Sequence, residues 1–244
     1  MEDFSNLLSV FSNAIRMRIL IILEENTVSL TDLTKIIGKI SHSEISRHLG
    51  KLTTQSLIIK DSSRKYKLSS FGKTIISLFK PINFIFKNGY YFKNHNISIL
   101  PEHLLQEIHL LKSSEFISGT GKIMFKMQNL AELANKEIWL MIDNPFPFSW
   151  SVEKAHLIVP PSMLANESEA REMGKKFRVG LLPKVSVSIS FSDMNQGLIF
   201  FPRLQKLEPD YNEAIFLNDN NGMKFIKKIW DYFWKKSEII VKEF

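Results

Sequence analysis

The chain of 244 residues carries 32 Lys+Arg against 25 Asp+Glu, a formal net charge of +7, with 44% apolar and 23% charged residues. That balance belongs to a folded chain rather than a disordered one, and the length falls between one domain and two. The sequence has no cysteine, which excludes disulfides, thiolate metal sites, iron–sulfur clusters and cysteine nucleophiles.

Apolar runs such as Ile19–Leu23 and Ile138–Ile142 reach five residues, far short of a membrane span. The acidic start (Glu2, Asp3) lacks the basic and apolar pattern of a secretory leader, so the expected compartment is the cytoplasm. The charge is uneven. Residues 1–80 hold 12 Lys/Arg and 7 Asp/Glu (+5), and residues 81–244 hold 20 and 18 (+2). Within residues 41–80, eight cations (Arg47, Lys51, Lys60, Arg64, Lys65, Lys67, Lys73, Lys80) face only Glu44 and Asp61, which is +6. A basic segment beside a near-neutral remainder fits either a solvated face or a nucleic-acid footprint.

In chain order, Leu8, Phe11, Ile15, Ile19 and Ile22 recur every three or four residues and predict helix over about Phe4–Glu25, with Asn13 placed to cap a break. Ser29-Leu30-Thr31-Asp32 has the spacing of a capping box, and Leu33, Ile36 and Ile37 give the next helix its buried face before Gly38. Ser41-His42-Ser43-Glu44 repeats the capping signal. The helix after it carries Ile45, Leu49 and Leu52 on one face. Two short capped helices joined by a glycine turn predict a helix-turn-helix.

At 100° per residue, Ser43, Arg47, Lys51 and Thr54 oppose that apolar arc, with Ser46 and His48 on its flanks. A recognition helix reads base edges with outward residues near its N-terminus, and its free N–H groups suit a phosphate. The candidate DNA-binding residues on this helix are Ser41, His42, Ser43, Ser46, Arg47, Lys51 and Thr54. After Leu57-Ile58-Ile59, the turn Asp61-Ser62-Ser63-Arg64 and the alternating Lys65-Tyr66-Lys67-Leu68 predict a hairpin wing. Arg64 and Lys65 at its tip would contact phosphate or minor groove, and Lys67 joins them as a candidate DNA-binding residue; phosphate contacts fix affinity and register rather than sequence.

The stretches "NAIRMRILIILEE", "LTDLTKIIGKISHSEISRHLGKLTTQSLI" and "YKLSSFGK" together resemble the ArsR-like winged helix-turn-helix of prokaryotic regulators. The resemblance covers about a third of the chain and implies a homodimeric module that binds double-stranded DNA. Metal sensing in that family depends on cysteine pairs that this sequence lacks.

Phe71–Tyr91 reads as an aromatic-rich helix interrupted at Pro81, a core or subunit interface. Beyond it, strands are predicted at Glu137–Ile142, Ala155–Val159, Phe177–Leu182, Val185–Phe191, Leu198–Phe201 and Ala214–Leu217, with helices at Lys122–Asn135 and Met223–Ser237. Strict alternation in Val185–Phe191 places one face of that strand against solvent or a polar pocket. The last helix directs Phe225, Ile229, Trp230 and Phe233 inward, with Lys227, Lys228 and Lys235 outside.

The stretch from Tyr90 to Ile117, in which His95, Asn96, Pro101 and Leu104 carry the pattern, resembles the effector domain of archaeal two-domain regulators of the methanogenesis and filament-morphology type. "FIKKIWDYFWKKSEII" fits its terminal helix. That resemblance implies a phospholipase D-like outline. The matching chemistry needs a His with Lys two residues on, which none of His42, His48, His95, His103, His109 and His156 has.

Gly119 and Gly121 in "ISGTGK" lack phosphate-loop spacing and read as a turn. His103 and His109 lie about 240° apart on a helix, which argues against zinc. Asp143, Asp193 and Asp219 stand at strand ends, where either turns and caps or ligand groups are found. Phe146, Phe148, Trp150, Arg178, Asp193 and Arg203 are candidates for an apolar or anionic ligand pocket.

The expected architecture is α+β. A winged helix-turn-helix (1–80) is joined by a helical linker and dimerisation region (81–110) to an α/β regulatory domain (111–244). The expected function is a sequence-specific transcriptional regulator that binds a pseudo-palindromic operator as a dimer, with a possible small-molecule effector. No catalytic residues, cofactor, metal or membrane partner are expected. A sequence-indifferent chromatin protein and a metabolite-binding protein with a vestigial DNA module are the alternatives.

Overall fold

The computed structural model describes residues 2–145, 152–163 and 177–240. The chain separates into two compact units, Met1–Ile82 and Asn83–Phe244, and the mixed helix-and-sheet class read from the sequence is present.

In the first unit the long apolar stripe is cut as its polar residue dictates. Helices α1 (Glu2–Phe11) and α2 (Ala14–Glu25) meet at Asn13, whose side chain accepts the backbone N–H groups of Ile15 and Arg16 at 3.1 Å. Arg16 then closes the joint: its Nε donates to Val10 O (2.8 Å) and Nη2 to Ser9 O (2.7 Å), satisfying carbonyls that α1 leaves open at its end. Helix α3 (Leu30–Ile37) starts at Ser29, whose hydroxyl accepts Asp32 N–H and donates to the Asp32 carboxylate, and it stops at Gly38 (φ 60°). Arg18 of α2 reaches the carbonyls of Ile36 and Ile37.

Helix α4 (His42–Thr54) begins at Ser41, whose hydroxyl accepts Glu44 N–H. Strands β1 (Ile58–Lys60) and β2 (Tyr66–Leu68) pair antiparallel, and Val28 bridges to Tyr66 on the other side of β2. Ile19, Leu20, Leu33, Ile45, Leu49, Leu52 and Leu57 are fully or almost fully buried, joining the helices and hairpin in one core.

Helix α5 (Ser70–Lys87) differs from the expected interruption at Pro81. The helix runs through the proline, and the break comes at Asn88, before α6 (Gly89–Asn94). A proline withdraws one donor and crowds one carbonyl, a local defect that flanking turns can bridge. At the actual break, Asn88 folds its side-chain amide back onto Phe84 O (2.9 Å).

The second unit is built on an eight-stranded mixed sheet. Its strands are β3 (Glu115–Ser118), β4 (Glu137–Met141), β5 (Lys154–Val159), β6 (Phe177–Leu181), β7 (Ser188–Ser192), β8 (Gly197–Phe200), β9 (Glu213–Leu217) and β10 (Glu238–Ile239). Their spatial order is β10-β6-β5-β4-β7-β8-β9-β3; β4–β5 and β5–β6 are parallel, and the other pairs are antiparallel. The edge strands β3 and β10 escape sequence reading because two to four residues are too few to show a period.

Helix α8 (Thr120–Leu133) covers one sheet face, with Ile123, Met127 and Leu130 against residues such as Leu140, Leu198 and Phe200. Helix α9 (Asn220–Lys236) covers the other through Phe225, Ile226, Ile229 and Trp230. Helix α7 (Glu102–Leu105) and the 3-10 turn Ile108–Ser113 join α9 on that face. Phe84, Tyr91, Leu100, Leu104 and Ile108, in the segment expected as a linker and dimerisation region (81–110), therefore lie with Leu111 in the core of the second unit.

Two-sided covering also corrects the reading of the Val185–Phe191 alternation. The strand lies at Ser188–Ser192 and is buried on both faces, its three serines included. Serine is small enough for a helix to pack over, so alternation in residue type need not mean alternation in exposure.

Candidate functional site

Ser41, His42, Ser43, Ser46, Arg47, Lys51 and Thr54 are all exposed, as expected of an outward face of α4. The apolar side (Ile45, Leu49, Leu52) is withdrawn into the core, and the Arg47 side chain stays 68% exposed with only a distant carboxylate, Glu44 at 3.9 Å. His48 departs from its expected flank position. It is buried, and burial, followed by the nearby cations Arg16 and Arg47, pushes its pKa below 6.5 against the opposing pull of Glu44. The imidazole is thus a core group whose neutral form is favoured by its burial, beside the residues that face outward.

The hairpin tip is organised by Asp61. Its carboxylate accepts Lys65 N–H (2.9 Å) and the Ser63 hydroxyl (2.8 Å), and these bonds hold its acidity above that of a free carboxylate. Arg64 takes the left-handed backbone (φ 63°) that the turn requires. Arg64, Lys65 and Lys67 are exposed, and Lys60 lies 5.4 Å from the Tyr66 ring. The hydrogen bonds to Asp61 order the backbone of the turn and leave these cations in solvent.

In the second unit the candidates separate. Phe146, Phe148 and Trp150 lie outside the described residues. Asp193 has a structural role: its carboxylate accepts Asn135 N–H (3.1 Å) and Lys136 N–H (2.9 Å), locking the β7–β8 turn to the start of β4. Burial opposes its ionisation, and the backbone donors outweigh that, leaving its pKa lowered. Asp219 caps α9 by accepting Asn221 and Gly222 N–H, and Asp143 accepts a hydrogen bond from the Tyr211 hydroxyl.

Arg203 joins a buried cluster that no local motif announces. Its Nε donates to Asp210 Oδ2 at 2.5 Å, and Nη2 lies 3.8 Å from Glu213. His95 Nε2 stands 3.4 Å from Asp210 and 3.6 Å from Glu213, and its Nδ1 lies 3.0 Å from Tyr91 O. His95, Asp210 and Glu213 place one ligand atom each within 4.8 Å of one another, a set that could hold a metal. The Arg203 guanidinium already supplies a positive charge to both carboxylates, so a metal would have to share them. His95 and Asp210 are 115 positions apart, which is why the cluster is invisible to spacing arguments.

Arg178 has a different setting. It stands on β6 directly beside His156 on β5, and the two line a cavity of about 450 Å³ with Trp139, Trp230 and Trp234. Burial lowers the His156 pKa, with Arg178 adding to that and Glu137 opposing it. No spacing or motif in the sequence marks Trp139 and His156 as pocket residues. The available signal was a histidine within the otherwise apolar strand Ala155-His156-Leu157-Ile158-Val159.

Residues 4–82 match the family model of the methanogenesis regulatory protein FilR1, N-terminal domain. The match agrees with the resemblance to methanogenesis regulators, and it falls on the first unit rather than on the Tyr90–Ile117 stretch from which that resemblance was read. No curated protein matches the chain. Among solved structures, the chain is similar to TrmBL2, described as an archaeal chromatin protein with a novel mode of DNA binding. Identity there is 15%, over 93% of this chain and 94% of that one, with a TM-score of 0.41. It is also similar to quinone-bound YodB from B. subtilis (16% identity, 33% of this chain, 89% of that one, TM-score 0.31). A third similar structure is HlyU from Vibrio cholerae (27%, 33%, 91% and 0.30, in the same order).

Proposed function

We propose that the chain is a DNA-binding transcriptional regulator of the ArsR-like winged-helix kind rather than an enzyme. It would act as a homodimer that sets two α4 helices into successive major grooves of a pseudo-palindromic site. The observation that carries this reading is the α3–α4 pair, whose apolar sides are buried while Ser43, Ser46, Arg47 and Lys51 face outward beside a basic hairpin. The match of residues 4–82 to a regulator's N-terminal domain supports it. Half-sites would lie about 34–36 Å apart, one helical turn. The second unit would stabilise the dimer, sense a small ligand, or both.

The test is a competition assay with selected genomic fragments against random duplex at fixed salt. A specific regulator prefers its site by roughly 10³-fold or more. Equal affinity for both DNAs would assign a sequence-indifferent, chromatin-type role instead. No binding at low salt would leave a ligand-binding protein with a vestigial DNA module.

A further inference from the structure

One row of side chains crosses four strands of the second unit in register. Phe191 on β7 pairs with Trp139 on β4, Trp139 with His156 on β5, and His156 with Arg178 on β6. The rings are nearly parallel: Phe191 and Trp139 have centroids 4.9 Å apart and planes 2° apart, and Trp139 and His156 are 5.1 Å and 6° apart. The spacing is that of neighbouring strands, so the pleat itself stacks the rings and leaves the guanidinium at the end of the stack. Above the row, α9 supplies a wall of two stacked indoles, Trp230 and Trp234, with centroids 5.4 Å apart. The Arg178 guanidinium carbon is 5.5 Å from the Trp234 ring centre. Between row and wall lies the cavity of about 450 Å³, within the size range of small-molecule sites.

The charges around it are unequally matched. Glu137 is countered from outside the cavity by Lys154 (3.6 Å) and lies 3.5 Å from His156 Nε2. Arg178 forms no ion pair among the described residues, and its Nε is shut off from solvent with no acceptor among them. A guanidinium N–H sheltered from water and left without an acceptor is costly, and the group offers a planar fork suited to two oxygens of one anion. Lys227, exposed at the rim, adds positive charge on the approach, offset there by Asp231.

We infer that this cavity binds a planar aromatic carboxylate, with the ring against the indoles and the carboxylate on Arg178. The assignment deepens the sensing role proposed above by giving its ligand class, and it rests on that reading only for the regulatory consequence.

The test uses the full chain and three probes: 2-naphthoate, its neutral isostere 2-naphthamide, and the non-aromatic cyclohexanecarboxylate. Titrations followed by tryptophan fluorescence and calorimetry are expected to show saturable 2-naphthoate binding, at least ten-fold tighter than either of the others. Arg178→Gln should abolish the preference for naphthoate over naphthamide while leaving naphthamide binding unchanged. Should that variant lower the melting temperature, Arg178→Lys, which keeps the charge without the fork, should still weaken naphthoate selectively. Equal affinity for the three probes, saturation by none, or undiminished naphthoate binding by both variants overturns the assignment. DNA binding is measured separately with and without naphthoate. Ligand binding with unaltered DNA affinity refutes sensing while the site stands, and ligand binding by a protein that binds no DNA refutes the regulator reading.

Discussion

A Cβ placed on Gly72 would lie 1.9 Å from the carbonyl oxygen of Leu57. The first turn of α5 therefore crosses the segment between α4 and β1 at backbone distance. Ser69 ties the crossing, donating from its hydroxyl to Ser56 O and Leu57 O and accepting Gly72 N–H at 2.8 Å. The glycine in "YKLSSFGK" is thus a packing requirement at the base of the hairpin. Gly72→Ala should destabilise the first unit by about 1–3 kcal/mol, since the obstacle is backbone rather than a movable side chain. Urea unfolding of the variant beside Gly121→Ala, where a Cβ meets open space, checks it; an undiminished midpoint for Gly72→Ala would refute the close crossing.

Arg47 and the hairpin tip should separate sequence reading from general affinity. Arg47→Ala is expected to cost about 1–3 kcal/mol on a preferred site and relax base choice there, if the guanidinium meets a guanine. Arg64 calls for Asn rather than Ala, because Asn tolerates its left-handed backbone. Arg64→Asn should weaken binding to all sequences alike and reduce the salt slope by about one per lost phosphate contact. Salt-dependent binding curves on specific and random duplexes read both effects.

His48 predicts an acid-side loss of stability. Its folded-state pKa lies below 6.5, so the unfolded chain binds the proton more tightly. The contribution is present above pH 6.5 and is lost as pH falls from there toward the folded value. His48→Leu should flatten the dependence of the urea midpoint between pH 7.5 and 5.5. An unchanged slope would show that this imidazole is not the group responsible.

The His95–Asp210–Glu213–Arg203 cluster should behave as one unit. Burial opposes ionisation of Asp210, but Arg203 and Asn212 outweigh it, and the carboxyl pKa is lowered from 3.8. Asp210→Asn removes the charge facing both Arg203 and His95. The expected loss is about 1–3 kcal/mol, less than for a fully buried pair because the Arg203 side chain is 47% exposed. The Asp210 contribution is present above pH 3.8 and lost as pH falls through the folded value, so the Asn variant should lose less stability than the parent over that acid range. Additive losses in a double variant with Glu213→Gln would argue against a coupled cluster.

The first unit was legible because its signals are local. Asn13, Ser29, Ser41 and Gly38 each act within four residues of their own position, and the buried and exposed faces of α4 follow from helical period alone. The exceptions are residues whose partners come from another element. His48 is taken into the core, and Arg16 and Arg18, for which no local motif assigns a role, close the ends of α1 and α3.

The second unit resisted because its chemistry is assembled across strands. Type and approximate place were readable for six of its strands. Their order was not, since nothing local sets β4 between β5 and β7. That order alone stacks Phe191, Trp139 and His156 and brings Arg178 to the end of the row, and a fold over more than a hundred residues brings His95 to Asp210. The sequence by itself determined the capped helices, the basic segment and the absence of thiol chemistry, all of which depend on covalent neighbours. Only the tertiary structure decided which charges are buried and which are matched, because those properties depend on spatial neighbours supplied by distant parts of the chain.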